Sequence, residues 1–260
     1  MTLVWRPGFQ FDADASTYIE AVEAADTQAL ETGVRYAIND FVIGCKNDGI
    51  WDAIKASCIL AGARTLTGAL VPLVGTAPTN IGFLVTEYNR KTGVRNSNDT
   101  PKAINTNRAN NADPQNNQHV STYITEQFGG TIRYLIAAET SEGGTTNIYY
   151  TSSTSSTFFR SQTSVAAQPA GRIDLGLAGV SRNSSSFYTA RGNGVSYIVN
   201  QASQTSSSSN IFVGAANFSG TPIAPSLSRF SFYSIGESLD LALLDTRVSA
   251  LITAIGAAIP

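Results

Sequence analysis

Asn105, Asn107, Arg108, Asn110, Asn111 and Asp113 crowd into nine positions and run on through Pro114, Gln115, Asn116 and Asn117. Amide and guanidinium groups at that density suit the hydrogen bonding of sugar hydroxyls, and Asn and Asp side chains can also hold a calcium ion. The same residues are equally suited to Asx turns, in which the side chains bond the local backbone. A second cluster sits at a hairpin tip around Tyr188, Arg191 and Asn193, where an aromatic face would stack on a sugar or a protein partner. For both clusters, ligand contact and a purely structural turn stay open.

Catalysis has fewer parts. Glycoside hydrolysis needs two carboxylates about 5 to 9.5 Å apart. Beyond residue 57 the acids are Glu87, Asp99, Asp113, Glu126, Glu139, Glu142, Asp174, Glu237, Asp240 and Asp245, and no two stand at i, i+2 on an obvious strand. Glu139 and Glu142 stand just before Gly143-Gly144, a pair that predicts a turn. His119 is the sole histidine, so any triad or multi-histidine metal site would pass through it alone; it reads as a polar residue at the start of a strand. No nucleotide-binding or nucleophile-elbow motif stands in the right context. Asp12, Asp14, Ser16 and Glu23 are spaced like a calcium loop, but Thr17 occupies the position that requires glycine, and helix capping accounts for them. No catalytic residue, metal site or cofactor is assigned. Cys45 and Cys58 are read as buried free thiols, with a bridge between them as the alternative.

Composition narrows the class of surface. Charged residues make up 14% of the 260 residues, against roughly a quarter in an ordinary soluble domain, and Ser, Thr, Asn and Gly fill the second half. A net charge of −2 argues against a nucleic-acid partner. Residues 1–55 carry nine acids and four bases, a balance of −5, which leaves +3 for the remainder. The N-terminus lacks a basic leader followed by an apolar run, so no signal peptide is expected, and the absence of an 18-residue apolar stretch predicts no membrane span.

The elements that would position these residues are legible as patterns. Tyr18, Val22 and Ala25, then Val34, Ile38, Phe41, Val42 and Cys45, recur at helical spacing, which predicts two helices between Asp12 and Lys55. Trp51, Ile54 and Ala56 suggest one more short turn. From about residue 57 the pattern becomes short β-rich runs between Gly, Asn, Ser and Pro clusters. Strands are predicted at 58–61, 69–74, 88–92, 103–107, 119–125, 132–138, 147–150, 157–161, 176–182, 185–190, 195–200, 211–216 and 229–235. The Asn-Gly pair within 191–194 predicts a tight hairpin. A last helix over 238–256, with Ser238 as cap, carries Leu244, Val248, Leu251, Ile252, Ile255 and Ile259 on one face. That face should cover the N-terminal helices or an open sheet, with a subunit contact as the alternative.

Three stretches, GIWDAIKASCILAGARTLTGALVPLVG (49–75), YNRKTGV with NTNRANNADPQNNQHVSTYIT (88–125) and RFSFYSIGESLDLALLDTRVSALITAI (229–255), together resemble bacteriophage virion proteins with a concanavalin A-like, laminin-G-type domain. The resemblance implies a mainly β protein: an antiparallel two-sheet jelly-roll sandwich at 57–260 behind an N-terminal helical docking segment at 1–56. It further implies a non-enzymatic virion component, most readily a tail fibre or baseplate protein that attaches to host-surface glycan. A capsid decoration protein and a polysaccharide-cleaving tail enzyme are the alternatives. Tyr18, Val22, Val34, Ile38 and Phe41 would then dock other virion proteins, a homo-oligomer is expected, and removing residues 1–55 should leave a folded sandwich that fails to enter the particle.

Overall fold

The computed structural model describes residues 10–127, 131–140 and 143–260. Two helices come first, α1 (Ala13–Asp26) and α2 (Thr32–Asn47). Asp12 caps α1 by accepting from the Asp14 N–H at 3.0 Å, and Lys46 near the end of α2 reaches both Asp12 and Asp14 at 2.7 Å. The acids spaced like a calcium loop are therefore a cap and a clamp between helices. After a single 3-10 turn at Trp51–Ala53 the chain enters β1 (Ile54–Ile59), so the 56/57 division falls inside a strand.

The rest follows in order: a short α3 (Leu66–Ala69), β2 (Thr79–Ile81), β3 (Tyr88–Asn89), β4 (Gly93–Arg95), β5 (Ala103–Ala109), β6 (Gln118–Glu126), β7 (Ile132–Ala137), β8 (Asn147–Thr151), β9 (Ser156–Arg160), β10 (Gly176–Arg182), β11 (Tyr188–Gly192), β12 (Val195–Val199), β13 (Asn210–Val213), β14 (Ala216–Phe218), β15 (Thr221–Ile223), β16 (Arg229–Gly236) and α4 (Leu241–Ala258). One sheet runs β12-β11-β10-β6-β16-β4-β3, with β1 also on β16; the other runs β2-β5-β13-β7-β8-β9. All of these strand pairs are antiparallel. The mainly β, two-sheet sandwich expected from the sequence is the fold.

Alternation along the strands divides the core in two. Val120, Ile124, Val180 and Ile235 of the larger sheet meet Ile104, Leu135, Ile148, Phe159 and Val213 of the smaller one. On its other side the larger sheet presents Ile59, Leu177 and Phe232 to α1, α2 and α4. Phe41 of α2 meets Phe232 edge-on, ring centroids 5.6 Å apart. The helices are thus a third layer on the sandwich.

Several local expectations are corrected. Residues 69–74 are not a strand: the buried Asp26 carboxylate accepts from the Arg64 and Thr65 N–H groups and the Thr65 hydroxyl, while Thr65 caps α3 through the Gly68 N–H. A polar cap buried against α1 outweighs the β-propensity of Leu70–Val74, of which Val74 keeps one bridge to Ser57. The predicted strand 211–216 splits into β13 and β14 at Gly214, whose φ is +85°. Ser238 does not cap α4; its N–H and hydroxyl donate to Asn117 Oδ1 at 2.9 and 2.6 Å. Asp240 caps instead, accepting from Ala242 and Leu243. By length and composition α4 could cross a membrane, contrary to the expectation that no such stretch exists. Its Leu241, Leu244, Val248, Leu251 and Ile255 are buried in the helix-sheet core, and Arg247 is held bidentately by Asp48 at 2.6 and 2.8 Å. Both cysteines are free and buried, and burial pushes their thiols up to about 12.

Candidate functional site

The Asn-rich run divides between β5, which holds Asn105, Asn107 and Arg108, and the connection from β5 to β6, and most of its polar groups are spent internally. Asn110 is fully buried and donates to the Gly144 carbonyl at 2.8 Å and the Ser207 hydroxyl at 3.1 Å. Arg108 grips Asp113 with two bonds of 3.0 and 2.5 Å. Asn107, in left-handed backbone at φ +55°, donates its N–H to Asn105 Oδ1 in an Asx turn and its amide to the Ala77 carbonyl. Asn111 stands exposed. Asn105 and Asn107 make the turn contacts expected of short amides, Asn110 is spent inside the protein, and Arg108 and Asp113 hold each other.

The hairpin tip is also rearranged. Asn193 and Gly194 adopt φ +54° and +73°, as a tight two-residue turn requires. Tyr188, however, does not present a face for stacking. It points into the sandwich, fully buried, with its hydroxyl donating to the Phe159 carbonyl at 3.0 Å and the Arg182 guanidinium 5.1 Å over its ring. Arg191 is buried on Asp245 at 2.8 Å, and Asn193 donates to the carbonyls of Ala170 and Arg172. The five residues expected to dock a virion partner, Tyr18, Val22, Val34, Ile38 and Phe41, are likewise buried in this chain's own core. Helical periodicity shows that a face needs covering, and here the sheet and α4 cover it.

His119 lies wholly inside the protein. Its Nδ1–H donates to the Glu237 carbonyl at 2.5 Å, leaving Nε2 to accept from the Ser234 hydroxyl at 2.7 Å. Desolvation lowers its pKa to about 4, against the partial support of the Glu237 carbonyl. A neutral buried imidazole binds its proton less readily folded than unfolded, so stability falls as pH drops from about 6.5 toward 4, by about 3 kcal/mol in all. Glu87 acts in a lower window. Burial alone would raise its carboxyl, but hydrogen bonds from Lys102, Ser97 and the Leu84 N–H hold it at about 2, so its contribution is lost only as pH falls below the usual carboxylate range. Urea titrations across pH 4–7 should show the first slope in the native chain and a flatter one in His119→Gln; equal slopes would refute the assignment.

The surface feature best suited to a ligand is one the sequence analysis passed over. Phe218 is 62% exposed at the end of β14, where Ser219 and Gly220 turn the chain with φ +50° and +89° and Phe218 pairs with Thr221. Asn217 fastens this tip, accepting from the Gly220 N–H at 2.7 Å and donating to the Asn210 carbonyl at 2.8 Å. The ring therefore stands on a rigid hairpin. It borders a cavity of about 460 Å³ lined also by Glu139, Thr140, Gly143, Ser207, Ser208, Asn217 and Ser219. Glu139 is anchored by the Ser209 hydroxyl. An apolar ring over a floor of hydroxyl, amide and carboxylate groups matches a molecule with one C–H face and several hydroxyls.

Beside the cavity, cross-strand pairing on β7, β8 and β9 aligns Tyr134, Tyr149 and Phe158. Their centroids are 5.1 and 5.2 Å apart, and the Arg160 guanidinium lies 5.4 Å over the Tyr149 ring. Tyr134 and Arg160 both donate to the Thr140 carbonyl, at 3.3 and 2.7 Å, so the aromatic row and the cavity share a wall. Tyr149 and Phe158 are half-buried. The signal for this row was present in Ile148-Tyr149-Tyr150 and Phe158-Phe159, but which rings share a face depends on strand register. Phe218, in a three-residue strand beside Ser-Gly, gave no periodic signal. Among the described residues no group of three or more His, Cys, Asp or Glu side chains is placed to hold a metal ion.

No family model and no curated protein matches this chain. Among solved structures it is similar to a mutant of Trypanosoma rangeli sialidase displaying trans-sialidase activity, at 10% identity and TM-score 0.52, over 85% of this chain and 39% of that one. It is also similar to the CBM40 of Ruminococcus gnavus IT-sialidase, at 13% identity and TM-score 0.40, over 63% and 96% of the two chains. The NanB sialidase of Streptococcus pneumoniae follows at 11% identity and TM-score 0.40, over 53% and 24%. The chain spans about a quarter of the length of the first sialidases it matches. At such identities the likeness to the Trypanosoma rangeli protein speaks for the fold alone, and the two scores of 0.40 are too low to add to it.

Proposed function

We propose that this chain is a glycan-attachment module that binds sugars without cleaving them, carried on a bacteriophage particle, most readily at the tail. The observation that carries the sugar-binding part is the exposed Phe218 ring on its fixed hairpin, over a cavity lined by Glu139, Thr140, Ser207 and Ser208. A ring in that position stacks on the apolar face of a pyranose while the polar lining bonds its hydroxyls. The low charge of the surface suits contact with neutral or variable glycans. The particle and its tail rest on the resemblance of the three sequence stretches to phage virion proteins.

Titration calorimetry against sialyllactose, lactose and host envelope polysaccharide tests the reading. Binding of at least one glycan is expected, weakened about tenfold in Phe218→Ala, the equivalent of about 1.4 kcal/mol. The binding claim is wrong if no glycan binds or if Phe218→Ala binds as the native chain does. Release of reducing sugar by the purified protein would overturn the non-enzymatic claim. Immunogold labelling of intact particles checks the location.

A further inference from the structure

A sheet edge is a row of unpaired N–H and C=O groups, and proteins usually cover or interrupt it. Among the described residues β12, β3 and β1 end the larger sheet and β2 and β9 the smaller, and four of these five edges are short or covered; β1 is bonded on its free side by Leu73 and Val74 through Ser57. β3 has two residues and β2 three. β9 is closed by the following loop, through Phe159 with Ala167 in both directions and the Thr157 N–H to the Gly171 carbonyl. β12 differs: it is five residues long, Val-Ser-Tyr-Ile-Val, with no charge and no proline. It also exposes 48% of Val195 and 63% of Ile198.

The hairpin fixes which backbone groups are free. Gly192 and Val195 flank a two-residue turn and pair directly, as do Ala190 with Tyr197 and Tyr188 with Val199. Hydrogen-bonded and non-bonded pairs alternate in an antiparallel ladder, so Val195, Tyr197 and Val199 bond β11 while the N–H and C=O groups of Ser196 and Ile198 point outward. Two such edges related by a two-fold axis through Tyr197 are complementary to each other. Ser196 of one copy exchanges both bonds with Ile198 of the next, and the reverse, for four hydrogen bonds in all. Val195 of each copy then lies opposite Val199 of the other, and the exposed Ile198 gains a neighbour on a strand that carries no like charge.

We propose that β12 is a homodimer interface: a second copy of this chain adds antiparallel at this edge and continues the larger sheet across the two-fold axis. The inference is independent of the glycan reading. Sedimentation velocity over a concentration series tests it on the full chain. The native protein is expected to sediment at twice its 27.4 kDa chain mass. Ile198→Lys, which places two like charges at the interface, and Ile198→Pro, which removes an outward N–H at a position whose side chain is exposed, should each raise the dimer dissociation constant at least about tenfold, with little change in circular dichroism. A native chain that stays monomeric throughout leaves the edge to some other protein and overturns the proposal. So does either variant if it folds and dimerises as tightly as the native chain.

Discussion

Removing residues 1–55 is expected to abolish the cooperative fold, not to release an intact sandwich. Ile59, Leu177 and Phe232 face away from the smaller sheet, and the side chains that cover them include Tyr18, Val22, Val34, Ile38 and Phe41. Each such buried side chain contributes about 1.5 to 3 kcal/mol, so five amount to on the order of 10 kcal/mol, which is comparable with the whole net stability of a domain. The cut also removes Ile54 and Lys55 from β1, and with them the pairing of Ile54 with Gly236. What stays behind is an apolar sheet face and the uncovered stripe of α4. Near-ultraviolet circular dichroism and size-exclusion chromatography should show lost tertiary signal and aggregation. A monomeric truncated chain with a native-like, cooperative thermal transition would show that the helices are a separate unit, as composition and charge suggested.

Arg182→Met should cost at least about 3 kcal/mol although it replaces a buried charge by an apolar side chain of similar length. Arg182 is fully buried and closes one end of the sandwich. Its guanidinium donates to the Ser161 carbonyl through two nitrogens, at 3.0 and 2.6 Å, and to the carbonyls of Ser184, Phe187 and Gln201 at 3.0 to 3.1 Å. Three segments of chain therefore meet on one side chain, and methionine would leave their four carbonyls without this donor. Replacing a buried ion pair by apolar residues is often neutral because both partners go together; here the partners are backbone groups that cannot be removed. Desolvation lowers the guanidinium's pKa while the nearby Tyr188 supports it. Urea denaturation midpoints measure the effect, and a change under about 1 kcal/mol would show that the carbonyls find other partners.

The candidate site was less legible than the fold. β10 was delimited residue for residue and β6, β7 and β12 to within one, since Gly, Asn, Ser and Pro clusters bound these β-rich runs. The Asn-Gly hairpin was equally plain, because Asn193 and Gly194 tolerate positive φ. Residues 69–74 misled because a carboxylate from α1, distant in sequence, caps the chain there. Tyr188 misled because its position beside a turn said nothing of which face it takes. Phe218 went unread because exposure of an aromatic ring is a property of the neighbours that fail to cover it.

The sequence by itself determined the alternation of the strands, the helical stripes and the tight turns, since these depend on a residue and its near neighbours along the chain. Only the tertiary structure decided that the opening helices share a core with the sheet, that the Asn-rich run spends its amides on backbone, and that Phe218, Glu139 and Ser207 surround one cavity. Those outcomes follow from contacts between segments far apart in sequence, and no local pattern encodes which of several apolar or polar groups will meet.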